Sequence, residues 1–503
     1  MKNRKLLNGL LTLSLGLGLT VRAEAADTPM AADAAVSQPS LDQRVDVLEK
    51  SLAGMKPAPG MGALAKGSPD APGFGGIGFY TSEGTYGVQF GALLQEDSRT
   101  YGYDGINTSK GLTSPLINGF VNARARFLMD AFLGSKVHLR YQEDFSNNGN
   151  NSGVTGASDS VGGNGPLLID AYGELKLLPW TILRVGQIKT PLGLERWRPT
   201  PALDFLQFGY TSGLMIDRTQ GALVEIADPK QALYLAAGAI DGATDSGSTP
   251  VVQAYNSNKD LVARLFVQPF NGMSNKALGD LGLGAAGTAG NHTFAPELGY
   301  KSLGQQAIVN PTVGNVLGTF TEGAGYRVAP QAYWFWDNFS LLSEYVHETQ
   351  GYRIAATSQN KITTSEAWQA QVGWVPTGER TSFSGLKLND KSWGIGAFEL
   401  VGRVQGANYD EGAHTAYSAG GLAATSKGLI DPETSVTSLQ SWSLGLNYVP
   451  VNDVEFLVDW DRTVFTNGGA GAPLNAQGHP TGAFVTANRP TEEVLQARAQ
   501  LAF

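Results

Sequence analysis

From about Gly84 to the last residue, polar and apolar residues alternate in segments of about ten, separated by turn-rich stretches. Side chains of an extended strand point alternately to opposite faces, so this alternation predicts strands with one polar and one apolar face. In "NARARFLMDAF", Asn122, Arg124, Arg126 and Asp130 share a face opposite Ala123, Ala125, Phe127, Met129 and Ala131. "KVHLRYQEDF" sets Lys136, His138, Arg140, Gln142 and Asp144 against Val137, Leu139, Tyr141 and Phe145. Later segments repeat the pattern: Gln369 and Gln371 against Trp368 and Trp374, Glu399 and Arg403 against Phe398 and Leu400, Glu455 and Asp459 against Phe456 and Trp460. The final stretch, "EEVLQARAQLAF", places Leu495, Ala497, Ala499, Leu501 and Phe503 on one side and Gln496, Arg498 and Gln500 on the other.

The spacing between segments adds a second regularity. Short connections at 133–135, 178–180, 228–231, 269–272, 336–338 and 450–453 alternate with long ones near 147–167, 191–218, 241–259, 290–325, 350–364, 406–438 and 466–489. Short periplasmic turns facing long outer loops are expected of a transmembrane β-barrel, as are aromatic residues at the segment ends. The predicted fold class is therefore all-β, a transmembrane antiparallel barrel of about sixteen strands over 77–503, with 376–391 as one longer periplasmic turn. Fourteen or eighteen strands are the neighbouring counts, because 273–325 is poorly patterned. In this frame the terminal strand is the closing strand, with Phe503 at its lipid-facing end and Arg498 turned to the lumen.

The first 76 residues follow other rules. Lys2, Arg4 and Lys5 precede an apolar run from Leu6 to Val21, and Ala23-Glu24-Ala25 offers the small residues a signal peptidase reads. Residues 1–25 are thus expected to be an export signal, cleaved after Ala25. In "SLDQRVDVLEKSLAG", Leu41, Val45, Leu48 and Leu52 follow the four-three-four spacing of a coiled-coil seam. A helix this short is marginal alone, so it needs partner copies. Arg44, Val45, Leu48 and Glu49 fit an Arg-h-x-x-h-Glu pattern (h, hydrophobic) associated with short trimeric coiled coils, which leads us to expect a homotrimer. Gly54 to Gly76, rich in Gly, Pro and Ala, reads as a linker.

Composition narrows the function classes. The 503 residues contain no cysteine, which removes disulfides, zinc thiolates and cysteine nucleophiles. No apolar run after the leader reaches the ~18–20 residues of a membrane-spanning helix. The formal charge is −9, and loss of the leader (Lys2, Arg4, Lys5 and Arg22 against Glu24, net +3) takes it to about −12. Such an acidic exported chain is a poor partner for nucleic acid.

Two local motifs carry little weight. "GLGAAG" (Gly282, Gly284, Gly287) matches the dinucleotide fingerprint but lies in a chain without βαβ rhythm. "DFSNNG", from Asp144, opens like a calcium loop, yet Thr155 stands where the bidentate glutamate belongs. No G-x-S-x-G or H-E-x-x-H occurs and the histidines are scattered, so no enzyme, metal site or cofactor is expected. The chemistry that remains is the polar face. A barrel of this size encloses a water-filled lumen whose charged side chains set selectivity. Parity sends Arg124, Arg126, Lys136, Arg140, Arg184, Arg264, Arg403 and Arg498 into it, with Asp130, Asp144, Asp170, Glu174, Glu344, Glu399, Glu455 and Asp459. Arg124, Arg126 and Arg140 cluster on two adjacent strands and suit an anion track, since the guanidinium fork binds phosphate or carboxylate.

"LRVGQIKTPLGLERW" (Leu183 to Trp197) resembles the strand-to-loop signature of the phosphate-selective porin O and P family, in which Gly-x-x-Lys-x-Pro-x-Gly-Leu-Glu leads into a loop folded inside the pore. "WQAQVGWVPTGER" with "WGIGAFELVGRV" resembles a later strand, turn and strand of that family, and "ARARFLMDAFLGSKVHLRYQEDFS" its early hairpin. The resemblance spans roughly Gly84 to Phe503. It implies a trimeric porin in the outer membrane of a Gram-negative bacterium, in contact with lipid and lipopolysaccharide and inserted by barrel-assembly machinery that reads the Phe503 end. It adds Lys189, Arg196 and Arg198, beside the signature, to the pore-lining basic residues. Because the lumen acids offset much of this charge, the expected function is a weakly anion-selective diffusion porin, with phosphate as one possible solute. The alternatives are a tether from outer membrane to cell wall through the coiled coil, and a general sugar or nutrient porin.

Overall fold

Alternating sequences become strands here because a membrane-spanning chain must satisfy every backbone N–H and C=O internally, and a closed sheet does so without an edge. The computed structural model describes residues 77–503 except 82–83, 104–117, 147–165, 229–231, 243–257, 274–276, 296–299, 310–318, 355–358, 389–393, 411–434 and 469–487. The export signal, the coiled-coil positions Arg44, Val45, Leu48 and Glu49, and the linker lie outside the described residues.

The strands are β1 (Ile77–Tyr80), β2 (Tyr86–Tyr103), β3 (Gly119–Leu133), β4 (Val137–Asp144), β5 (Leu167–Leu178), β6 (Thr181–Lys189), β7 (Arg218–Ala227), β8 (Leu233–Ile240), β9 (Asp260–Val267), β10 (Leu281–Ala295), β11 (Tyr300–Lys301), β12 (Ala307–Val309), β13 (Thr319–Trp336), β14 (Phe339–Ile354), β15 (Gln359–Trp374), β16 (Ala397–Asn408), β17 (Val436–Val451), β18 (Val454–Asn467) and β19 (Glu492–Ala502). Strands β2 to β10 and β13 to β19 pair antiparallel with their neighbours, and β19 returns to β2, closing a sixteen-stranded barrel. Phe503 completes the seam: its N–H donates to the Ala92 carbonyl at 3.1 Å, and its own carbonyl accepts from the Ala92 N–H at 2.9 Å. Strand β1 occupies the remaining stretch of the same β2 edge, with Ile77 opposite Phe90. Strands β11 and β12 form a separate hairpin within the β10–β13 connection.

The apolar faces point outward. Leu94, Phe127, Leu139, Val185, Leu265, Val372, Leu444 and Leu501 are all exposed. At the end carrying the short turns, Trp334, Trp336, Phe339 and Trp374 stack in succession at 5.7 to 6.3 Å, and Phe398, Tyr448 and Phe456 continue the ring of aromatics. Such rings suit the membrane–water interface. Inside, the polar faces meet two infolded segments. The connection 190–217 turns inward between β6 and β7, and hairpin β11–β12 enters beside it. Leu192, Tyr210, Leu214 and Met215 of the first pack with Leu303, Ile308 and Val309 of the second and with wall residues such as Val346 and Phe465. Each fully buried aliphatic side chain here contributes roughly 1.5–3 kcal/mol.

One sequence expectation changes, and two stretches the sequence left weakly read are placed. Lys136 sits exposed in the turn between β3 and β4, one residue before the strand begins, so it does not line the lumen. "GLGAAG" lies within β10, whose glycines make room for wall side chains rather than a nucleotide: a Cβ on Gly282 or Gly284 would fall within 2.5 Å of the Phe266 ring. The poorly patterned stretch 273–325 holds the long strand β10, the inserted hairpin and the start of β13.

Candidate functional site

The inner loop starts where the sequence signature predicted. Gly186, in β6, has φ +135°, and a Cβ there would stand 2.3 Å from the Ala171 carbonyl oxygen, so only glycine fits. After Lys189 the chain leaves the wall, makes one helical turn, α1 (Leu194–Trp197), and two 3-10 turns, Thr200–Ala202 and Tyr210–Leu214. It then crosses the lumen from β6 to the far wall. Leu194 N–H donates to Glu344 at 2.6 Å, Leu206 N–H to Asp459 at 2.6 Å, and the Gln500 amide donates to the Pro201 carbonyl at 3.0 Å. At Gly209 a Cβ would meet Gln369 Oε1 at 1.9 Å, which is how closely the loop presses on β15.

All but one of the basic residues predicted to line the pore face the lumen, and nearly all are matched. Arg126 pairs with Asp144 at 2.8 Å. Arg140 holds Asp130 through two bonds of 2.8 and 2.9 Å, and Arg498 holds Asp97 through two of 2.6 and 2.9 Å. Arg184, fully buried, bridges Glu174 at 2.8 Å and Glu225 at 3.2 Å and lies over the Tyr172 ring. On the loop, Arg196 reaches Asp217 at 3.1 Å, Arg198 reaches Asp204 at 2.6 Å, and Lys189 donates to the Arg198 carbonyl at 3.1 Å. From the wall, Arg403 pairs with Glu195 at 3.2 Å and stacks on Phe205. Burial alone would raise the Asp217 carboxyl, but Arg218 and Arg196 outweigh it and hold it well below the usual carboxylate range.

Arg124 differs. Its Nη1 donates to Gln95 Oε1 at 2.5 Å and its guanidinium lies 5.8 Å from the Phe208 ring, with no carboxylate in ion-pair range among the described residues. Arg196 covers the same ring at 4.9 Å. Half-buried Phe208 therefore carries two cations, one spent on Asp217 and one available to solutes. Gln95, Asp97, Asp204 and Phe208 escaped sequence reasoning. Gln95 and Asp97 sit on β2 and meet partners on β3 and β19 whose register no local pattern gives, while Asp204 and Phe208 lie on the inner loop, where strand alternation says nothing.

A second departure lies on the opposite wall. Glu344, Glu399, Glu455, Asp459, Asp461 and Glu492, on β14, β16, β18 and β19, meet amides, hydroxyls or backbone N–H groups and no lysine, arginine or histidine within ion-pair distance among the described residues. One Oδ1 each of Asp459 and Asp461 is buried without a partner.

A closed sixteen-stranded barrel, apolar outside and polar inside, narrowed by an infolded loop, is the architecture of a porin. The family model for phosphate-selective porin O and P matches residues 102–461, and the chain belongs to that family, which places it in the outer membrane of a Gram-negative bacterium. Among solved structures, OmpT of Vibrio cholerae in its trimer form is 8% identical with TM-score 0.47, covering 83% of this chain and 100% of that one. The channel DcaP of Acinetobacter baumannii is 14% identical with TM-score 0.47, covering 85% and 100%. OmpF of Salmonella typhi, in complex with daunomycin, is 10% identical with TM-score 0.45, covering 85% and 100%. No curated protein matches the sequence.

Proposed function

We propose that this porin passes small hydrophilic solutes and ions by diffusion, with a weak anion preference carried by Arg124. The observation that supports it is the contrast at the loop. Arg126, Arg140, Arg184, Arg196, Arg198, Arg403 and Arg498 are each neutralised by a carboxylate, and Arg124 is not. A matched pair offers a passing anion little net field, whereas a lone guanidinium beside an aromatic ring keeps its donors for a solute. Arg264, the other arginine of the predicted lumen set without a carboxylate partner among the described residues, is 2% exposed against Trp197 and Phe266, so a single accessible guanidinium supports transient attraction rather than a dedicated phosphate site. The heptad around Leu48 supports assembly as a homotrimer, with the N-terminal segment holding the copies together. The barrel's exterior then meets lipid and lipopolysaccharide, and Phe503 is the end read by the assembly machinery.

Planar-bilayer recording tests this. In a KCl gradient the reversal potential should show modest anion preference, phosphate should leave the chloride current nearly unchanged, and Arg124→Glu should move selectivity towards cations. Unchanged selectivity in that variant would remove Arg124 from the role, and strong block by dilute phosphate would restore a dedicated phosphate site. Deletion of residues 26–75 should leave conductance intact and weaken the trimer.

A further inference from the structure

Phe208 lies on a loop inside the lumen, yet its ring is fixed in place. The backbone is clamped on both sides of it. Leu206 N–H donates to Asp459 at 2.6 Å and the Gln207 carbonyl accepts from Arg403 at 3.0 Å. Beyond the ring, Gly209 N–H donates to Glu195 at 2.7 Å and Tyr210 N–H to Gln405 at 2.9 Å. Arg196, which covers the ring at 4.9 Å, is itself tied to Asp217 and donates from its Nε to the Ser212 carbonyl at 3.0 Å. Part of the ring stays exposed to the lumen, as does Gln207 beside it.

Arg124 faces this ring from β3. A guanidinium carries five N–H donors; one of them bonds to Gln95 Oε1, and the others have no partner among the described residues. Gln95 is fully buried and its own amide donates to Gln500 at 2.5 Å, so two coupled amides aim the arginine from behind. The surroundings favour an anion. Asp144 is held by Arg126, and Asp97 is shared by Arg498 at 2.6 Å and Arg99 at 3.9 Å.

A free fork of N–H donors and the open part of an aromatic ring thus stand 5.8 Å apart where the inner loop narrows the lumen. The fork matches a carboxylate, and the ring offers dispersion and edge contacts to an apolar body. Chloride uses the charge alone. Inorganic phosphate carries polar oxygens on every side, so the ring takes water from it and gives no bond in return. A monocarboxylate with a flat apolar body fits both halves, its charged end on Arg124 and its body along Phe208.

We propose that Arg124 and Phe208 form a subsite for organic monocarboxylates with an aromatic body, of which benzoate is the simplest. The subsite rests on the charge role proposed for Arg124 and adds the ring that sorts one anion from another.

The test uses the full chain in planar bilayers carrying a KCl current, with benzoate as probe and acetate, phosphate and benzyl alcohol as controls at equal concentration. Benzoate should reduce or interrupt the current where the three controls do not. Phe208→Ala should weaken the benzoate effect about fivefold, and Phe208→Tyr, which keeps the ring, should retain it; gel mobility before and after heating reports that each barrel is folded. Should Phe208→Ala fail to fold, the wild-type ranking of benzoate against acetate decides alone. Benzoate no more effective than acetate in the wild type, or as effective in folded Phe208→Ala as in the wild type, would overturn the subsite. Arg124→Glu separates the subsite from the reading it rests on. An unshifted reversal potential in that variant removes the charge role of Arg124, whereas a shifted potential, with benzoate and acetate alike in the wild type, removes the subsite alone.

Discussion

The wall from β3 to β7 and the wall from β14 to β19 solve the same problem in opposite ways. Both carry charged side chains into a narrow interior. On the first, arginines and carboxylates meet in pairs, between neighbouring strands for Arg126 with Asp144, Arg140 with Asp130 and Arg184 with Glu174, and across β6 for Arg218 with Asp170. Apart from Arg124, its charge is spent on structure. On the second, Glu344, Glu399, Glu455, Asp459 and Asp461 are satisfied mainly by amides and by the backbone of the inner loop, and no cation pairs with them among the described residues. The number of ionisable groups on a pore wall is therefore a poor guide to the field a solute meets; the pairing across strands decides it.

The largest effect should come from breaking a matched pair at the seam. Asp97→Ala leaves Arg498 buried without its partner, and loss of ~3–5 kcal/mol is expected, read as a lower unfolding temperature in gel-mobility assays. An unchanged temperature would show that the matched pair at the seam is not structural. Next comes the unmatched wall. Asp459→Asn with Asp461→Asn removes two buried charges that repel each other, and should stabilise the barrel by about 1 kcal/mol while raising anion preference; destabilisation would mean that those carboxylates anchor the loop chiefly as charges. Arg124→Glu should shift selectivity with a stability change within about 0.5 kcal/mol, because no ion pair is lost. A large loss of stability there would erase the distinction between matched and unmatched arginines.

The smallest expected effect is on pH. With the folded Asp217 carboxyl held below its unfolded value of ~3.9, its contribution is complete above that value and fades as pH falls from there towards the depressed folded value. The inner loop should therefore stay anchored from neutrality down to about pH 4 and loosen below it, seen as excess current noise. Asp217→Asn should make that noise independent of acid.

The elements most legible in the sequence were those with clean alternation, such as β3, β4, β16 and β18, and the signature that turns Gly186 to Trp197 inward. Strand β10 was not. Its lumen face, Gly282, Gly284, Ala286, Thr288 and Gly290, is small because Phe266, Tyr333 and the Asp260 carboxylate fill the space that side chains would take, so no polar–apolar contrast remained. The sign of each lumen residue was also legible, but not its partner. Arg498 and Asp97 stand 401 residues apart in sequence, and Arg403 finds Glu195 only because the loop crosses the lumen. Lys136 misled because parity counting does not say where a strand ends.

Strand β1 has a consequence larger than its four residues. By covering β2 from Gly87 to Phe90, it leaves Ala92 as the lowest point at which β19 can dock. A slide of β19 further along β2 would collide with it. Since strand number and stagger together set a barrel's width, the start of the barrel domain acts as a doorstop for its last strand, and through it helps fix the bore of the channel.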